Sequence, residues 1–391
     1  MLISKKRRFK DYQSGNKVSL VKSGEEYFKA LLDLIDGAKE SIHLQTYILS
    51  DDNTGRSVAG ALKKAARRNV AAYVVLDLFG SFALPFSFVE DLRQGGVQLR
   101  FFSPFLTQEG IHLGRRLHRK VLVADGKKAL ISGINITDRY RGSKDALPWL
   151  DFGVLVEGEI CSEIFASCEA IWGRKFRRKK KVKAKKIFSL ADGPLVRVRQ
   201  NDWMRRKLEI SKSYKDIFRN AEKYITIVGA YFLPGRKLKK LIKAASGRGV
   251  KIRLILSKNS DEKMFKMAAL YLYEWLFRHG VEIYEYQPVV VHGKAAVADD
   301  IWTTIGSHDL NFLSTYGMVE MNLDIWGKDF AESFNKYLNK IIKEDCVRIA
   351  PEEYGRKKKL WNRIIDWWSY YAMRVSLWLL VLLTNKRQEG E

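Results

Sequence analysis

The chain has 391 residues, of which 46% are hydrophobic and 12% aromatic, so it can bury the cores of two domains and is not a disordered chain. Lys and Arg number 70 against 44 Asp and Glu, a net charge of +26, which predicts a polyanionic partner, either nucleic acid or an anionic membrane surface. The 3 cysteines form no CxxC or Cys/His cluster, so neither a disulfide framework nor a zinc site is expected, and a reducing compartment is favoured.

The first half of the chain alternates helical and strand patterns. Its N-terminal stretch MLISKKRRFK is basic but lacks the apolar run of a signal peptide, so export is not expected. The helix EEYFKALLDLIDGAKES precedes the strand IHLQTYI, and the helix SVAGALKKAARRN precedes the strands VAAYVVLDLFG and VQLRFF. Helices that alternate with short β-branched runs predict an α/β sheet with buried strands.

The stretch HRKVLVADGKKALISGIN follows and contains His118, Lys120 and Asp125. Side chains alternate across a strand, so His118 and Lys120 face the same way and can converge on one anionic group. After a polar turn, a second strand ends in small and polar residues, Ser132 to Asn135, which let a ligand approach the backbone. A single His-x-Lys pattern is common and carries no functional meaning alone.

A strongly basic stretch, RKFRRKKKVKAKK at residues 174–186, separates the two halves, with 10 basic residues among 13. One interpretation is a solvated, self-repelling linker. The other is an anion-binding strip on one face of the molecule.

The second half repeats the plan of the first. The elements ISKSYKDIFRNAEK, YITIVGAYFL, RKLKKLIKAASGRG, VKIRLILS and VEIYEY lead to VHGKAAVADDIWTTIGSHDLN, which contains His292, Lys294, Asp299 and Ser307. The segments AKESIHLQTYI and AEKYITIVGAYF can be aligned with few conflicts, and His118 and His292 are 174 residues apart. Two copies that keep the Asp spacing and the small polar tail make chance a poor explanation. The chain therefore reads as two copies of one α/β unit.

The C-terminal stretch LWNRIIDWWSYYAMRVSLWLLVLLTNK, residues 360–386, is apolar and rich in Trp and Tyr. Arg374 and Asp366 interrupt it, so it lacks the ~20 clean apolar residues of a membrane span. Trp and Tyr settle at membrane–water interfaces, which favours an amphipathic helix lying on a membrane. The alternative is a C-terminal helix packed on the core. We predict domains at 1–190 and 191–350 and a membrane-associating tail at 351–391.

The paired motifs resemble the hallmark of the phospholipase D superfamily, HxK(x)4D(x)6GSxN carried twice in one chain, and the resemblance covers about residues 20–345. Within that superfamily the chain is most similar to bacterial cardiolipin synthases, in a short form without N-terminal transmembrane helices. The resemblance implies two tandem phospholipase D-like α/β/α sandwich domains with one active site at their interface. It also implies that no metal and no cofactor is used.

The resemblance implies a role for each member of the paired motif. His118 is the expected nucleophile, forming a phosphohistidine, and His292 is the expected general acid and then base. Lys120 and Lys294 would hold the non-bridging oxygens of the phosphate. The carboxylates of the motif lie beyond the strand ends, where they order the site rather than touch substrate; they are Asp125 and Asp299.

Further site residues follow from the same resemblance. A carboxylate on the strand after each motif would fix the second ring nitrogen of a histidine, and the polar tails would add hydrogen-bond donors. A Gly-Ser turn and an arginine two residues before the first histidine could meet a phosphate. These predicted residues are Asp151, Glu320, Asn135, Ser307, Ser81 and Arg116. Asp309 stands where the pattern has Asn, and a carboxylate cannot donate as an amide does.

These features favour transfer of a phosphatidyl group from phosphatidylglycerol to a second lipid alcohol, giving cardiolipin and glycerol. The alternatives are a phospholipase D-type hydrolase or nucleic-acid phosphodiesterase that uses water, and a non-catalytic binder of anionic lipid. The aromatic tail favours an anionic phospholipid membrane over nucleic acid as the partner. We therefore expect a peripheral enzyme on the cytoplasmic face of the cell membrane. The identity of the acceptor and the oligomeric state stay open.

Overall fold

The computed structural model describes residues 11–102, 106–107, 110–111, 115–173, 193–352, 354 and 360–385. The basic stretch 174–186 lies outside these ranges, so its predicted role as an anion-binding strip stays a prediction.

The first half supplies one mixed sheet and its helices. In chain order its elements are β1 (Asn16–Lys22), α1 (Glu25–Gly37), β2 (Ser41–Thr46), α2 (Asn53–Arg67), β3 (Ala71–Asp77), α3 (Phe86–Gln94), β4 (Gln98–Phe102), β5 (Leu106–Thr107), β6 (Gly110–Ile111), β7 (Arg116–Leu117), β8 (Lys120–Ala124), β9 (Lys128–Ser132), α4 (Asp138–Arg141), β10 (Phe152–Gly158) and α5 (Ile160–Trp172). The main sheet has the strand order β1-β10-β9-β8-β2-β3-β4.

The second half supplies a second sheet. Its elements are β11 (Leu195–Asp202), a 3-10 turn (Trp203–Arg205), β12 (Lys207–Leu208), α6 (Glu209–Asn220), β13 (Tyr224–Val228), α7 (Arg236–Gly247), β14 (Lys251–Ser257), α8 (Lys263–Arg278), β15 (Val281–Tyr286), β16 (Ala295–Ala298), β17 (Trp302–Gly306), α9 (Phe312–Tyr316), β18 (Met318–Trp326), α10 (Lys328–Asp345), β19 (Cys346–Arg348) and α11 (Leu360–Asn385). The strand order is β12-β11-β18-β17-β16-β13-β14-β15-β19, and β7 of the first half pairs with β18.

The two sheets repeat one plan, as the sequence predicts. In the first, β2 pairs parallel with β3 and antiparallel with β8. In the second, β13 pairs parallel with β14 and antiparallel with β16. In each case the helix between the parallel strands makes the crossover that such a pair requires.

Local sequence explains why these helices form. In α2, the carboxylate of Asp52 caps the first turn by accepting from the N–H of Gly55 at 2.9 Å. In α6, Ile210, Tyr214 and Ile217 are buried at helical spacing, so one face of the helix packs on the sheet.

Each sheet carries helices on both faces. Side chains of α1, α2 and α3 form a core on one face of the first sheet, and side chains of α6, α7 and α8 form a core on one face of the second. A third core joins both sheets with α5 and α10, and it includes Val121 and Phe152 from the first half and Ala295 and Leu323 from the second. The predicted α/β fold with layers of helix, sheet and helix is confirmed.

The C-terminal helix α11 packs on α8 through one face, where Tyr370 is 5% exposed and its ring lies 4.8 Å from that of Tyr271. Another face presents aromatic side chains to solvent, and Trp361 and Trp368 are 69% and 63% exposed. Packing on the core and an exposed aromatic face, which the sequence offers as alternatives, therefore occur together. In the described part of the chain, no helix combines the length and apolarity needed to cross a membrane.

Candidate active site

His118 lies where the two halves meet. Strand β7, just before it, pairs parallel with β18 of the second half, and the His118 N–H donates to the carbonyl of Val319 at 3.0 Å. This pairing places the ring beside the next residue of β18, and His118 Nδ1 lies 3.0 Å from Glu320 Oε1. The first-half histidine is therefore oriented by a second-half carboxylate.

His292 has the reciprocal arrangement. Its N–H donates to the carbonyl of Leu150 at 2.8 Å, and Leu150 and Val291 form an isolated parallel bridge. Its Nδ1 lies 2.8 Å from Oδ2 of Asp151, the residue after Leu150. The sequence places one carboxylate after each motif, and the structure exchanges them, so that neither half holds a complete histidine–carboxylate pair.

These pairs give both imidazoles the same chemical form. A carboxylate at Nδ1 keeps the proton on that nitrogen and leaves the lone pair on Nε2. Burial lowers the pKa of His118 and of His292 well below the usual value, and the charges of Lys120 and Lys294 lower both further. Both shifts favour the neutral form of the ring. Nε2 of either ring can attack phosphorus or accept a proton.

The lysines of the motif are buried beside the histidines. Lys120 Nζ donates to the carbonyl of His118 at 2.7 Å and lies 5.4 Å from the ring centre of Tyr47. Lys294 Nζ donates to the carbonyl of His292 and lies 5.5 Å from the ring centre of Tyr231. Burial lowers the pKa of Lys120 to about 7, so a bound anion would favour its charged form. These two ammonium groups are suited to hold phosphate oxygens.

The surroundings of the two lysines differ because of Asp309. Its Oδ2 lies 3.3 Å from Lys294 Nζ, and its Oδ1 accepts from the Tyr231 N–H at 3.2 Å. The carboxylate thus offsets the charge of Lys294 and has no N–H to offer a phosphate. At the matching position of the first half, Asn135 donates to the Tyr140 hydroxyl at 3.0 Å.

The predicted donors of the polar tails are used within the protein. Asn135 Oδ1 also accepts from the Ile48 N–H at 3.2 Å. Ser307 Oγ donates to Oε2 of Glu320, the carboxylate that orients His118. The role of Asn135 and Ser307 as supporting hydrogen-bond donors of the site stays a prediction, and these contacts are consistent with it. Asn135 ties down the segment after β2, and Ser307 positions Glu320.

Asp125 and Asp299 are remote from the histidines. Asp125 follows β8, so it lies about 16 Å along the strand from Lys120 at ~3.3 Å per residue. Its carboxylate accepts from the N–H groups of Lys39, Glu40 and Ser41 at 3.0, 2.8 and 2.9 Å. Asp299 accepts from the equivalent groups of residues 222–224 at 2.9 to 3.0 Å. Each aspartate thus anchors the start of the neighbouring strand, and its predicted part in ordering the site stays a prediction.

Replacing Asp125 with alanine should therefore lower stability rather than impair chemistry. Burial raises the pKa of Asp125, but the N–H groups of Ser41, Glu40 and Lys39 outweigh it and lower the pKa overall. The stabilisation is thus present above the unfolded pKa of about 3.9 and is lost as pH falls through the folded value. We expect a loss of about 1–3 kcal/mol in the free energy of unfolding at pH 7. Unfolding curves at pH 7 and pH 3 measure it.

The matched control is Asp145→Asn, which changes an exposed carboxylate in a loop of the same half. It should leave the unfolding midpoint unchanged. If Asp125→Ala kept full stability but lost activity, the anchoring role would be incorrect.

The two residues predicted to bind substrate have different positions. Ser81 Oγ donates to the carbonyl of Tyr47 and accepts from the Leu49 N–H, both at 3.1 Å. Ser81 therefore holds the segment that carries Tyr47, and its predicted role in substrate binding stays a prediction. The guanidinium carbon of Arg116 lies 5.5 Å from the ring centre of Phe79, and a role in substrate binding stays a prediction.

Aromatic residues that the sequence reasoning missed surround the histidines. The ring centres of Tyr47 and His118 are 5.1 Å apart, and those of Tyr231 and His292 are 6.4 Å apart. Tyr140 and Trp149 lie 5.1 and 6.1 Å from His292. A signal was present, because the aligned segments AKESIHLQTYI and AEKYITIVGAYF carry these tyrosines one position apart. Apolar walls would shield a reaction at phosphorus from water.

Metal ligands are a separate question. Within the described ranges, no group of 3 or more His, Cys, Asp or Glu side chains is arranged to hold a metal ion.

A family model described as cardiolipin synthase, PLD-like domain, matches residues 31–147 and 214–342, which contain His118 and His292 respectively. Cardiolipin synthase B of Escherichia coli K12 is 32% identical over 357 residues, which cover 90% of this chain and 86% of that protein. Cardiolipin synthase A of Pseudomonas syringae is 31% identical over 331 residues, covering 83% and 68% respectively.

Among solved structures, phosphatidylserine synthase of Haemophilus influenzae superposes with a TM-score of 0.73. The match covers 98% of this chain and 99% of that one at 14% identity, so it establishes likeness of fold.

Proposed function

This chain belongs to the cardiolipin synthases with PLD-like domains, a family of phosphatidyltransferases, and from that premise we propose that it joins two phosphatidylglycerol molecules into cardiolipin and releases glycerol. The observation that carries the proposal is the pair of buried imidazoles, each oriented at Nδ1 by a carboxylate of the other half. Two such rings on opposite sides of one phosphorus can exchange one alcohol for another.

In the first step, Nε2 of His118 attacks the phosphorus of the donor. A P–N bond forms, the P–O bond to glycerol breaks, and His292 supplies the proton that the leaving alkoxide needs. The anionic phosphodiester offsets the lysine charges that lower the pKa of His292, which favours the protonated ring. Asp151 stabilises that imidazolium through Nδ1.

In the second step, the hydroxyl of the acceptor lipid gives its proton to His292. The acceptor oxygen attacks phosphorus and the P–N bond to His118 breaks. One phosphodiester replaces another, so the reaction needs no nucleotide. Lys120 and Lys294 neutralise the charge that accumulates on the non-bridging oxygens.

The experiment supplies purified protein with vesicles of phosphatidylglycerol labelled in both the phosphatidyl and the glycerol parts. Cardiolipin and free glycerol in equal amounts are the expected products. Phosphatidic acid with glycerol and no cardiolipin would identify a hydrolase, and cleavage of nucleic acid would identify a phosphodiesterase.

Exposed aromatic surfaces support a lipid substrate. Besides the exposed face of α11, the segment after β3 exposes Phe79, Phe82 and Phe86 by 57%, 78% and 76%. Ser81 in this segment hydrogen-bonds the carbonyl of Tyr47, whose ring centre lies 5.1 Å from that of His118, so the segment adjoins the site at this point. Exposed apolar patches indicate a binding surface. A membrane would suit both the exposed face of α11 and the segment after β3. We infer peripheral association with the cytoplasmic face of the cell membrane.

Replacing Trp361, Trp367 and Trp368 together with serine should weaken binding to anionic vesicles by about tenfold or more, since each Trp loses apolar contact with the membrane. These side chains are 69%, 43% and 63% exposed, so the fold should persist. Vesicle sedimentation measures binding, and turnover of a soluble short-chain phosphatidylglycerol measures chemistry.

The control is Val347→Ser, which removes an exposed apolar side chain on β19. Equal vesicle binding by the triple variant and this control would show that α11 does not dock on membranes. Replacing side chains tests membrane binding more specifically than removing residues 354–391 would, because the truncation also removes Tyr370 from the core.

A further inference from the structure

A cavity of about 640 Å³ lies in the second half of the molecule. Its walls come from residues at 208–215, 233–238, 308–316 and 370–375. The segment 308–316 directly follows Ser307 of the second motif, and 370–375 belongs to α11. The cavity thus lies between the catalytic motif and the helix with the exposed aromatic face, and its size suits a bound ligand, for which pockets span roughly 300–1,000 Å³.

Residues that line this cavity adjoin the catalytic residues. On the cavity side, the Leu233 N–H donates to the Leu310 carbonyl at 3.1 Å, and both side chains are buried. On the side of the motif, the Tyr231 N–H donates to Asp309, whose carboxylate lies 3.3 Å from Lys294 Nζ. Adjacent residues of the same two segments therefore line the cavity and contact the catalytic lysine.

The cavity lining combines apolar side chains with cations. Leu233, Leu238, Leu310, Phe312 and Met373 provide apolar surface.

The cations are Lys215, Arg236, Lys237 and Arg374. None of the four is within 4.0 Å of a carboxylate oxygen in the described residues. Burial lowers the pKa of Lys215, and nearby positive charges, first that of Lys237, lower it further. The positive end of α7, which begins at Arg236, adds to the potential. Apolar walls with cations that have no carboxylate partner among the described residues fit an amphiphile whose head carries a phosphate.

The proposed mechanism indicates whether the donor or the acceptor lipid would lie on the side of the cavity. In both steps the exchanging alcohol lies opposite His118 and next to His292, because His292 protonates the departing alcohol and deprotonates the incoming one. His292 belongs to the second half, and its ring centre lies 6.4 Å from that of Tyr231, two residues before Leu233 of the cavity lining. The acceptor alcohol should therefore approach from the second half, where the cavity lies.

We propose that this cavity binds the acceptor lipid, with an acyl chain against the leucine wall and the lipid's own phosphate at Lys215 and Lys237. The lipid would enter from the membrane along α11, because Tyr371 and Val375 line the cavity and are also 41% and 53% exposed. The inference rests on the proposed function and adds that donor and acceptor lipids occupy separate sites.

Two assays distinguish the donor site from the proposed acceptor site. Exchange of labelled free glycerol into phosphatidylglycerol requires a donor lipid but no second lipid, whereas cardiolipin formation requires both. The variants are Thr315→Trp, which fills the cavity, and Lys237→Glu, which reverses a lining charge. Each should lower cardiolipin formation by about tenfold or more and keep exchange within about twofold. The charge control, Lys243→Glu, alters an exposed residue of α7 that does not line the cavity, and it should leave both reactions unchanged.

Retained exchange also shows that a variant is folded. An equal fall in both reactions, or no fall in cardiolipin formation, would overturn the acceptor site. Wild-type protein that exchanges glycerol but forms no cardiolipin would overturn it as well. Wild-type protein with neither reaction would instead refute the proposed function.

Discussion

Replacing His118 with alanine is expected to abolish the covalent intermediate and to lower turnover of phosphatidylglycerol by about 10⁴-fold or more, as loss of a nucleophile does in other enzymes. The reason is that His118 Nε2 forms the only P–N bond in the proposed sequence of steps. Acid quenching with donor lipid labelled in its phosphate, followed by mass spectrometry of peptides, measures the intermediate directly.

His292→Ala supplies the contrast. A donor with an activated leaving group needs no proton to depart, so this variant should still form the intermediate, and it should accumulate because no base activates the acceptor. The surroundings of the two histidines are nearly symmetric, each with a carboxylate at Nδ1 and a lysine two residues on. The trapping experiment therefore assigns the roles. Label on His292 in the wild-type protein would reverse them.

Replacing Glu320 with glutamine should have the second largest effect, a loss of about 10²- to 10⁴-fold in turnover, comparable to the loss of the orienting carboxylate in a serine protease triad. Glutamine keeps the size of the side chain but carries no charge, so it neither holds the proton on Nδ1 nor stabilises a charged His118. Because Glu320 reaches His118 across the interface, this variant should fail to form the intermediate even with an activated donor.

Asp151→Asn tests the reciprocal pair. Asp151 orients His292, so this variant should form the intermediate with an activated donor and then release it slowly. If Glu320→Gln instead behaved like His292→Ala, and Asp151→Asn like His118→Ala, each carboxylate would serve the histidine of its own half. Glu332→Gln on α10, an exposed carboxylate of the second half, is the control and should leave turnover unchanged. Equal melting temperatures would separate these effects from misfolding.

Much of this protein follows from its sequence alone. Alternating helical and strand patterns predict the α/β layers. Burial of one face of a helix or strand sets the spacing of apolar residues along the chain, and this spacing is visible in a short stretch of sequence. The repeat is equally visible, since two copies of one unit need the same residues at the same spacing. His118 with Lys120, and His292 with Lys294, are predictable as pairs because the same spacing recurs at the start of β8 and of β16. The amphipathic C-terminal helix is predictable for the same local reason.

Only the tertiary structure decides which groups meet across long separations. Glu320 serves His118 because β7 pairs with β18, and Asp151 serves His292 because Leu150 bridges to Val291. Backbone hydrogen bonds between the halves determine which carboxylate meets which histidine, and no local sequence pattern encodes these bonds. The place of Asp125 is decided in the same way, because its spacing, repeated in the second motif, does not show that its carboxylate accepts from N–H groups about 85 residues earlier in the chain. The two ends of a strand are far apart in space, so residues close in sequence can have different roles. Here His118 at one end takes part in the chemistry, and Asp125 at the other end anchors the neighbouring strand.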